Sequence, residues 1–464
     1  MSAETTSDGF PVGFLWGAAT SAYQIEGGVA VDGRGPSIWD TFSARPGAVR
    51  GGDDGSVAAD HLHRYREDVA LMADLRLQMY RFSVAWPRIQ PDGRGPANQK
   101  GLDFYRRLVD ELLAKGIRPN LSLYHWDLPQ ALQDAGGWTA RDTAYRFAEY
   151  ADIVYRDLHD RVGWWSTINE PWCVAMLGYA SGIHAPGFRD PRQAVRAIHH
   201  VLLAHGLAVN RMRAIDPGPR LALVLNLAPI RTVVADEDAA FADALRLTDG
   251  YRYRVWLDPL FRGRYPADML ELARRFGGLP VEPGDMEAIA APLDWLGINY
   301  YNDAFLGPDP DATGIVHPGV DGVRDATPSG ERTDMDWPIT PDGLRDLLVL
   351  VGHDYPEAPP MIITENGAAY DDPIGADGSI DDSRRIRYLD AHLRALQLAI
   401  EAGADVRGYL VWSLLDNFEW AEGYARRFGI VHVDFSTQRR TPRRSAAWYR
   451  AVIERNGLPA DPAA

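Results

Sequence analysis

Strand-like and helix-like segments alternate along almost the whole chain, and that alternation is what most narrows the folds open to it. Eight segments read as strands: 14–19, 78–83, 117–123, 164–169, 221–226, 293–299, 361–364 and 408–413. Helical patterns lie between them. The clearest spans 99–115, where Leu102, Tyr105, Leu108 and Leu112 share one face and Gly116 supplies a C-terminal stop. Another carries Val69, Met72 and Leu75, and a third Phe147, Ala151, Val154 and Leu158. Strands separated by helices pair in parallel, because parallel neighbours need crossover connections. Eight such units within 464 residues, with no convincing linker, predict one (β/α)8 TIM barrel rather than two doubly wound domains. The barrel is assigned to 10–456, with a loosely held segment at 1–9 and a tail at 457–464. Two stretches break the rhythm, 31–55 and 302–341. The second is rich in Gly, Pro and Asp and has little periodicity. Both are expected to be elaborated loops on the C-terminal face of the strands.

Two predicted strands end alike. Ser166-Thr167-Ile168-Asn169-Glu170-Pro171 and Ile362-Ile363-Thr364-Glu365-Asn366-Gly367 each place a glutamate after a β-branched run and before residues that stop a strand. A barrel carries the ends of distant strands to one loop-lined face. A carboxylate pair there is what glycosidic-bond cleavage needs: one acid to protonate the leaving oxygen and one carboxylate to attack the sugar.

Composition removes several other classes. The chain holds 48 Lys and Arg against 64 Asp and Glu, a formal charge of −16, which argues against nucleic-acid or anionic-membrane partners. No run of about 18 apolar residues is present to span a bilayer. The polar, acidic start lacks the pattern of a signal peptide, so a cytoplasmic location is expected. With one cysteine, Cys173, an intrachain disulfide is impossible. Cys173 is read as a small buried hydrophobe beside the cleft rather than a nucleophile. His61 and His63, and His199, His200 and His205, lack the spacing and companions of a zinc site. Gly27-Gly28 and Gly33-x-Gly35 do not make a phosphate-cradling loop, so no metal or cofactor is expected. The 14 tryptophans divide between core filling (Trp16, Trp39 and Trp86) and sugar-facing positions near strand ends.

Taken with their neighbours, the two glutamate segments resemble family 1 glycoside hydrolases, the group that includes β-glucosidases, β-galactosidases and 6-phospho-β-glucosidases. The blocks that carry the resemblance are Phe14-Leu15-Trp16-Gly17 through Gln24-Ile25-Glu26-Gly27, Tyr124-His125-Trp126-Asp127-Leu128-Pro129, Thr167 to Pro171, Ile363 to Gly367 and Trp412 to Trp420. Five blocks in the family's order are far more specific than any one of them. The resemblance implies a (β/α)8 barrel and a retaining mechanism through a covalent glycosyl-enzyme, with Glu170 as acid/base and Glu365 as nucleophile. It further implies that Arg81 and Tyr301 support the nucleophile. Gln24, His125, Asn169, Trp412, Glu419 and Trp420 would hold the sugar, and Trp172 and Trp337 would flank the leaving group. Arg81 is expected to keep Glu365 ionised. Glu419, a carboxylate in the sugar-recognition segment, argues against a 6-phosphorylated substrate.

The expected substrates are β-glucosides and short oligosaccharides such as cellobiose, with β-galactosides or β-fucosides alongside. Preference among those sugars turns on small shifts around Gln24 and Glu419. Two alternatives stay open at this level: a transglycosylating β-glycosidase, and a non-catalytic sugar-binding barrel, the weaker because both glutamates are present. Oligomeric state is not legible here.

Overall fold

The computed structural model describes residues 9–234 and 239–460. Its centre is a closed barrel of eight parallel strands in sequential order: β1 (Leu15–Ala19), β2 (Met79–Ser83), β3 (Arg118–Tyr124), β4 (Trp164–Asn169), β5 (Arg220–Asn226), β6 (Trp295–Asn299), β7 (Met361–Asn366) and β8 (Val406–Trp412). Closure comes from β1 pairing with both β8 and β2, through Leu15↔Gly408 to Ala19↔Trp412 on one side and Gly17↔Met79 to Ala19↔Arg81 on the other. The expected (β/α)8 fold is therefore present, with strand ends displaced by a residue or two.

Each strand buries both faces, which is why Leu221-Ala222-Leu223-Val224-Leu225 reads as a continuous apolar run instead of an alternating one. One set of side chains fills the barrel: Ala19, Met79, Ala222, Val224, Trp295, Ile362 and Leu410 pack together below Trp412 and Phe428. The other set meets the surrounding helices. Helix Gln99–Ala114 buries Leu102, Tyr105, Leu108 and Leu112 against that ring, and Gly116 follows it in a left-handed conformation (φ +74°). Helix Arg141–Leu158 does the same with Phe147, Ala151, Val154 and Leu158.

The loops hold more order than their composition predicts. Within 302–341, Ala304–Pro308 and Val323–Asp325 pair antiparallel, and Ile230–Thr232 joins the first in parallel, giving a three-stranded sheet above the barrel. Glycines and prolines around these short strands mask the alternation. Within 31–55 a short helix, Ile38–Ser43, starts at a reciprocal cap between Ser37 and Asp40. Gly9 bridges Gly457, and the Phe10 amide donates to the Asn456 carbonyl at 2.9 Å. The expectations for 1–8 and 461–464 fall outside the described residues. Among the described residues no helix is long and apolar enough to cross a membrane.

Candidate active site

Glu170 and Glu365 open into one cleft of about 520 Å³ at the C-terminal end of the barrel, and both are nearly buried, 5% and 3% exposed. Each sits where its strand departs from regular pairing. Between β4 and β5 the register shifts between Ser166 and Asn169; between β7 and β6 it shifts between Ile363 and Glu365. Such irregularities re-aim side chains beside active sites. Glu170 itself has left-handed backbone (φ +48°), as do Trp126 (φ +80°) and Trp420 (φ +51°). Strain of this kind at non-glycine residues, worth roughly 1–3 kcal/mol each, gathers at functional sites. Gly367, two residues past Glu365, is fixed by contact: a Cβ there would lie 1.8 Å from the Trp412 carbonyl oxygen.

The two carboxylates have different company. The wholly buried Arg81 of β2 donates from one Nη to Glu365 Oε1 at 2.6 Å and from the other to Asn169 Oδ1 at 2.7 Å. The Tyr301 hydroxyl donates to Glu365 Oε2 at 2.8 Å. Among the described residues no cation hydrogen-bonds to Glu170, and Arg81 and Arg252 act on it only through space. The Asn299 amide donates to its Oε1 at 2.7 Å and the Cys173 thiol to its Oε2 at 3.1 Å. Thr364 donates to Asn299 Oδ1 at 2.6 Å, which turns the Asn299 NH2 toward Glu170 and toward Asn169 Oδ1 at 3.1 Å.

Burial, followed by the charge of Glu365, pushes the Glu170 pKa up to about 7, against the hydrogen bonds from Asn299 and Cys173. Glu365 is raised as well, because its burial outweighs Arg81 and Tyr301. Arg81 thus acts in the expected direction but against a larger desolvation. Since the cation and the phenol both face Glu365, the first negative charge of the pair resides there.

Behind and around this pair lie the other residues singled out from sequence. Gln24 is fully buried; its NH2 donates to Asn417 Oδ1 and the Phe418 carbonyl, each at 2.9 Å, and approaches Glu419 Oε2 at 3.5 Å. Asn169 is also fully buried, and donates to His125 Nε2 at 3.1 Å, which leaves His125 Nδ1 to carry the ring proton. Burial and Arg81 hold His125 well below its usual pKa, so the ring is neutral. Its ring stacks near Trp412 and Trp420, with centroids 5.9 Å away in each case. Glu419 lines the cleft, and burial together with Glu365 and Glu170 raises its pKa to about 8. Trp172 and Trp337 line the same cleft, the latter packed on Tyr301 and Phe428.

The remaining sequence candidates resolve simply. Trp16, Trp39 and Trp86 are fully buried, and Trp39 backs the site by packing on Trp420 at 4.6 Å. His199 contacts Asp285 and Tyr265, His200 the Trp138 carbonyl and His205 Thr167. Cys173 is buried, but its contact with Glu170 makes it more than a small apolar filler. Asn299 and Arg252, which also line the cleft, escaped the sequence reading. Asn299 carries a weak signal, a lone amide closing a strand opposite the glutamate strands. Arg252 lies inside a helical stretch and carries none.

The profile of glycosyl hydrolase family 1 matches residues 6–458. A thermostable β-glucosidase B from Thermobispora bispora is 53% identical over 451 residues, covering 97% of this chain and 91% of that relative. A bifunctional β-D-glucosidase/β-D-fucosidase from Bifidobacterium breve is 46% identical over 461 residues, covering 96% and 98%. The structure of a β-glucosidase from Thermotoga maritima in complex with glucoimidazole superposes with a TM-score of 0.91 at 46% identity, covering 97% of this chain and 100% of that one.

Proposed function

The chain belongs to glycosyl hydrolase family 1 and is a glycoside hydrolase, and from that premise we propose that it is a retaining β-glucosidase. Its substrates in this reading are terminal, unphosphorylated β-D-glucosyl residues of β-glucosides and of short oligosaccharides such as cellobiose. β-Fucosides follow as secondary substrates, as the name of the Bifidobacterium breve relative suggests, with β-galactosides beside them. Residues 10–456 form the catalytic domain in this reading.

The observation that carries the proposal is the unequal support of two carboxyl groups facing one cleft. Glu365, gripped by Arg81 and Tyr301, is suited to attack the anomeric carbon. Glu170, with its pKa near 7 and no cation in contact, is suited to hand its proton to the leaving oxygen. The sugar–oxygen bond breaks as the Glu365–sugar ester forms. In the second step Glu170 takes a proton from water, the water oxygen bonds to the anomeric carbon, and Glu365 leaves. Glycosylation removes the Glu365 charge, the second cause of the raised Glu170 pKa, so Glu170 becomes a readier base. A hydrogen-bonded chain, Glu365–Arg81–Asn169–Asn299–Glu170, ties the pair into one unit. This supports the fixed spacing of about 5–5.5 Å that retaining pairs require. Among the sugar-holding candidates, Glu419 would hydrogen-bond the sugar hydroxyls and offers a 6-phosphate no cation. Trp412 would offer a stacking face, and Asn169 would meet the 2-hydroxyl.

Transglycosylation is the same intermediate captured by a sugar or alcohol, and the aromatic wall of Trp172 and Trp337 supports acceptor binding. Two measurements test the reading. A kcat/KM panel over aryl β-glucoside, β-fucoside, β-galactoside, β-mannoside and cellobiose should rank glucoside and fucoside highest. NMR of the first glucose released should show the β-anomer; the α-anomer first would overturn retention, and tight binding without turnover would overturn catalysis.

A further inference from the structure

The cleft wall is acidic, with Glu170, Glu365, Glu419 and Asp325 among its lining, and Arg252 is the single Lys or Arg that lines it among the described residues. Arg252 comes from the wide-turn segment Gly250–Arg254. Its near neighbour Arg254 is fully engaged, pairing with Asp249 at 2.7 Å and Asp268 at 2.9 Å. Arg252 forms no ion pair with the described residues, and its buried Nε has no hydrogen-bond partner. Its guanidinium lies over Trp172, 3.9 Å from the ring centroid. Asp303, another acid of the wall, is occupied by Arg231 and Tyr300. Cys173, Asp325 and Glu170 act on Arg252 only through space.

A guanidinium drawn partly out of water without a paired counter-ion is destabilised, and the flat donor fork that it presents matches the two oxygens of a carboxylate. Contact with the Trp172 ring, two residues beyond Glu170, holds that fork on the side where a leaving group would lie. Trp337, Phe305, Met335, Leu177 and Ile183 give the same cleft apolar surface suited to an aromatic ring. Among the described residues the other charged side chains of the wall are carboxyl groups, so Arg252 also fixes where a negative charge can go.

We propose that Arg252, held on Trp172, makes the leaving-group side of the cleft a site for aromatic acids, so that β-glucosides whose aglycone is an aryl ring bearing an ionised carboxylate are favoured substrates. The inference rests on the β-glucosidase reading above and adds the aglycone class to it.

The test compares 4-carboxyphenyl β-D-glucoside with its neutral isostere, 4-carbamoylphenyl β-D-glucoside, in the parent enzyme, Arg252→Gln and Arg252→Lys. Dividing the two kcat/KM values within each enzyme removes differences in folding, and comparing that ratio between enzymes removes the intrinsic leaving-group difference. The carboxylate-to-carboxamide ratio should fall about tenfold in Arg252→Gln and less in Arg252→Lys, which keeps the charge but not the planar fork. In the parent alone the ratio should also shrink as salt rises from about 0.05 to 1 M. A ratio unchanged by Arg252→Gln, or an equal loss on both substrates, overturns the proposal, and so does a ratio indifferent to salt. The parent's turnover of 4-nitrophenyl β-D-glucoside keeps the two readings apart. If that substrate is hydrolysed while the ratio is insensitive to Arg252, only the aglycone assignment fails; if it is not, the β-glucosidase reading fails first.

Discussion

Glu170 and Glu365 close β4 and β7 after similar β-branched runs, and both open into the same cleft, yet their surroundings differ in kind. Glu365 takes a full positive charge from Arg81 and a phenolic hydrogen bond from Tyr301. Glu170 takes an amide hydrogen from Asn299 and a thiol hydrogen from Cys173, both neutral donors. Equal burial with unequal counter-charge separates two identical side chains into a proton holder and a charge holder. In the proposed mechanism the division of labour therefore belongs to β2 and β6, which supply Arg81 and Asn299, as much as to the strands that carry the glutamates.

That contrast can be broken most severely by removing the glutamates one at a time. Glu365→Gly should lower kcat/KM by about 10⁴-fold or more, with partial rescue by azide to give the α-glycosyl azide. Glu170→Ala should lose about 10²–10⁴-fold, less on substrates with good leaving groups, and azide should yield the β-glycosyl azide. Product anomers read by NMR check both; a β-azide from Glu365→Gly would exchange the assigned roles.

A smaller effect should come from withdrawing the cation alone. Arg81→Met leaves Glu365 buried with only the neutral donors Tyr301 and Asn299 opposing its desolvation, so its pKa rises further. Because the attacking form is ionised, the acidic limb of kcat/KM against pH should move to higher pH. The rate at neutral pH should fall about 10²–10³-fold. A profile that loses amplitude without moving would make Arg81 a packing residue only.

The mildest probe is Cys173. Glu170 must be protonated to act as acid, so activity should decline as pH climbs through about 7. The thiol hydrogen bond favours the carboxylate; losing it in Cys173→Ala should raise the Glu170 pKa and carry the basic limb upward by about half a pH unit. Cys173→Ser, which restores a donor, should bring the limb back to the parent position or below. Coincident basic limbs in all three enzymes would remove Cys173 from the description of Glu170.

Much of the architecture is legible in the residues because the barrel strands are short apolar runs closed by abrupt changes of character. Ile362-Ile363-Thr364 followed by Glu365 is an example, and Thr167-Ile168-Asn169 before Glu170 is another. Helix 99–114 shows equally well, since one face of it does nothing but pack. The small sheet inside 302–341 does not show, because its strands are three to five residues long and glycine and proline surround them. The aim of Asn299 at Glu170 depends on a register shift between β7 and β6 and on the hydroxyl of Thr364, features of strand pairing that no local pattern reports. Arg252 is hidden for another reason: Arg252 and Arg254 look interchangeable in Tyr251-Arg252-Tyr253-Arg254, and only packing leaves one neutralised and the other unmatched.

The crowding of Glu170, Glu365 and Glu419 in one enclosure, with Glu170 on left-handed backbone, also locates a weak point toward heat. Each group is a liability to the resting fold that only turnover justifies. Exchanging Glu170 or Glu419 for its uncharged amide should therefore yield a protein that melts a few degrees higher in calorimetry while turning over little or nothing.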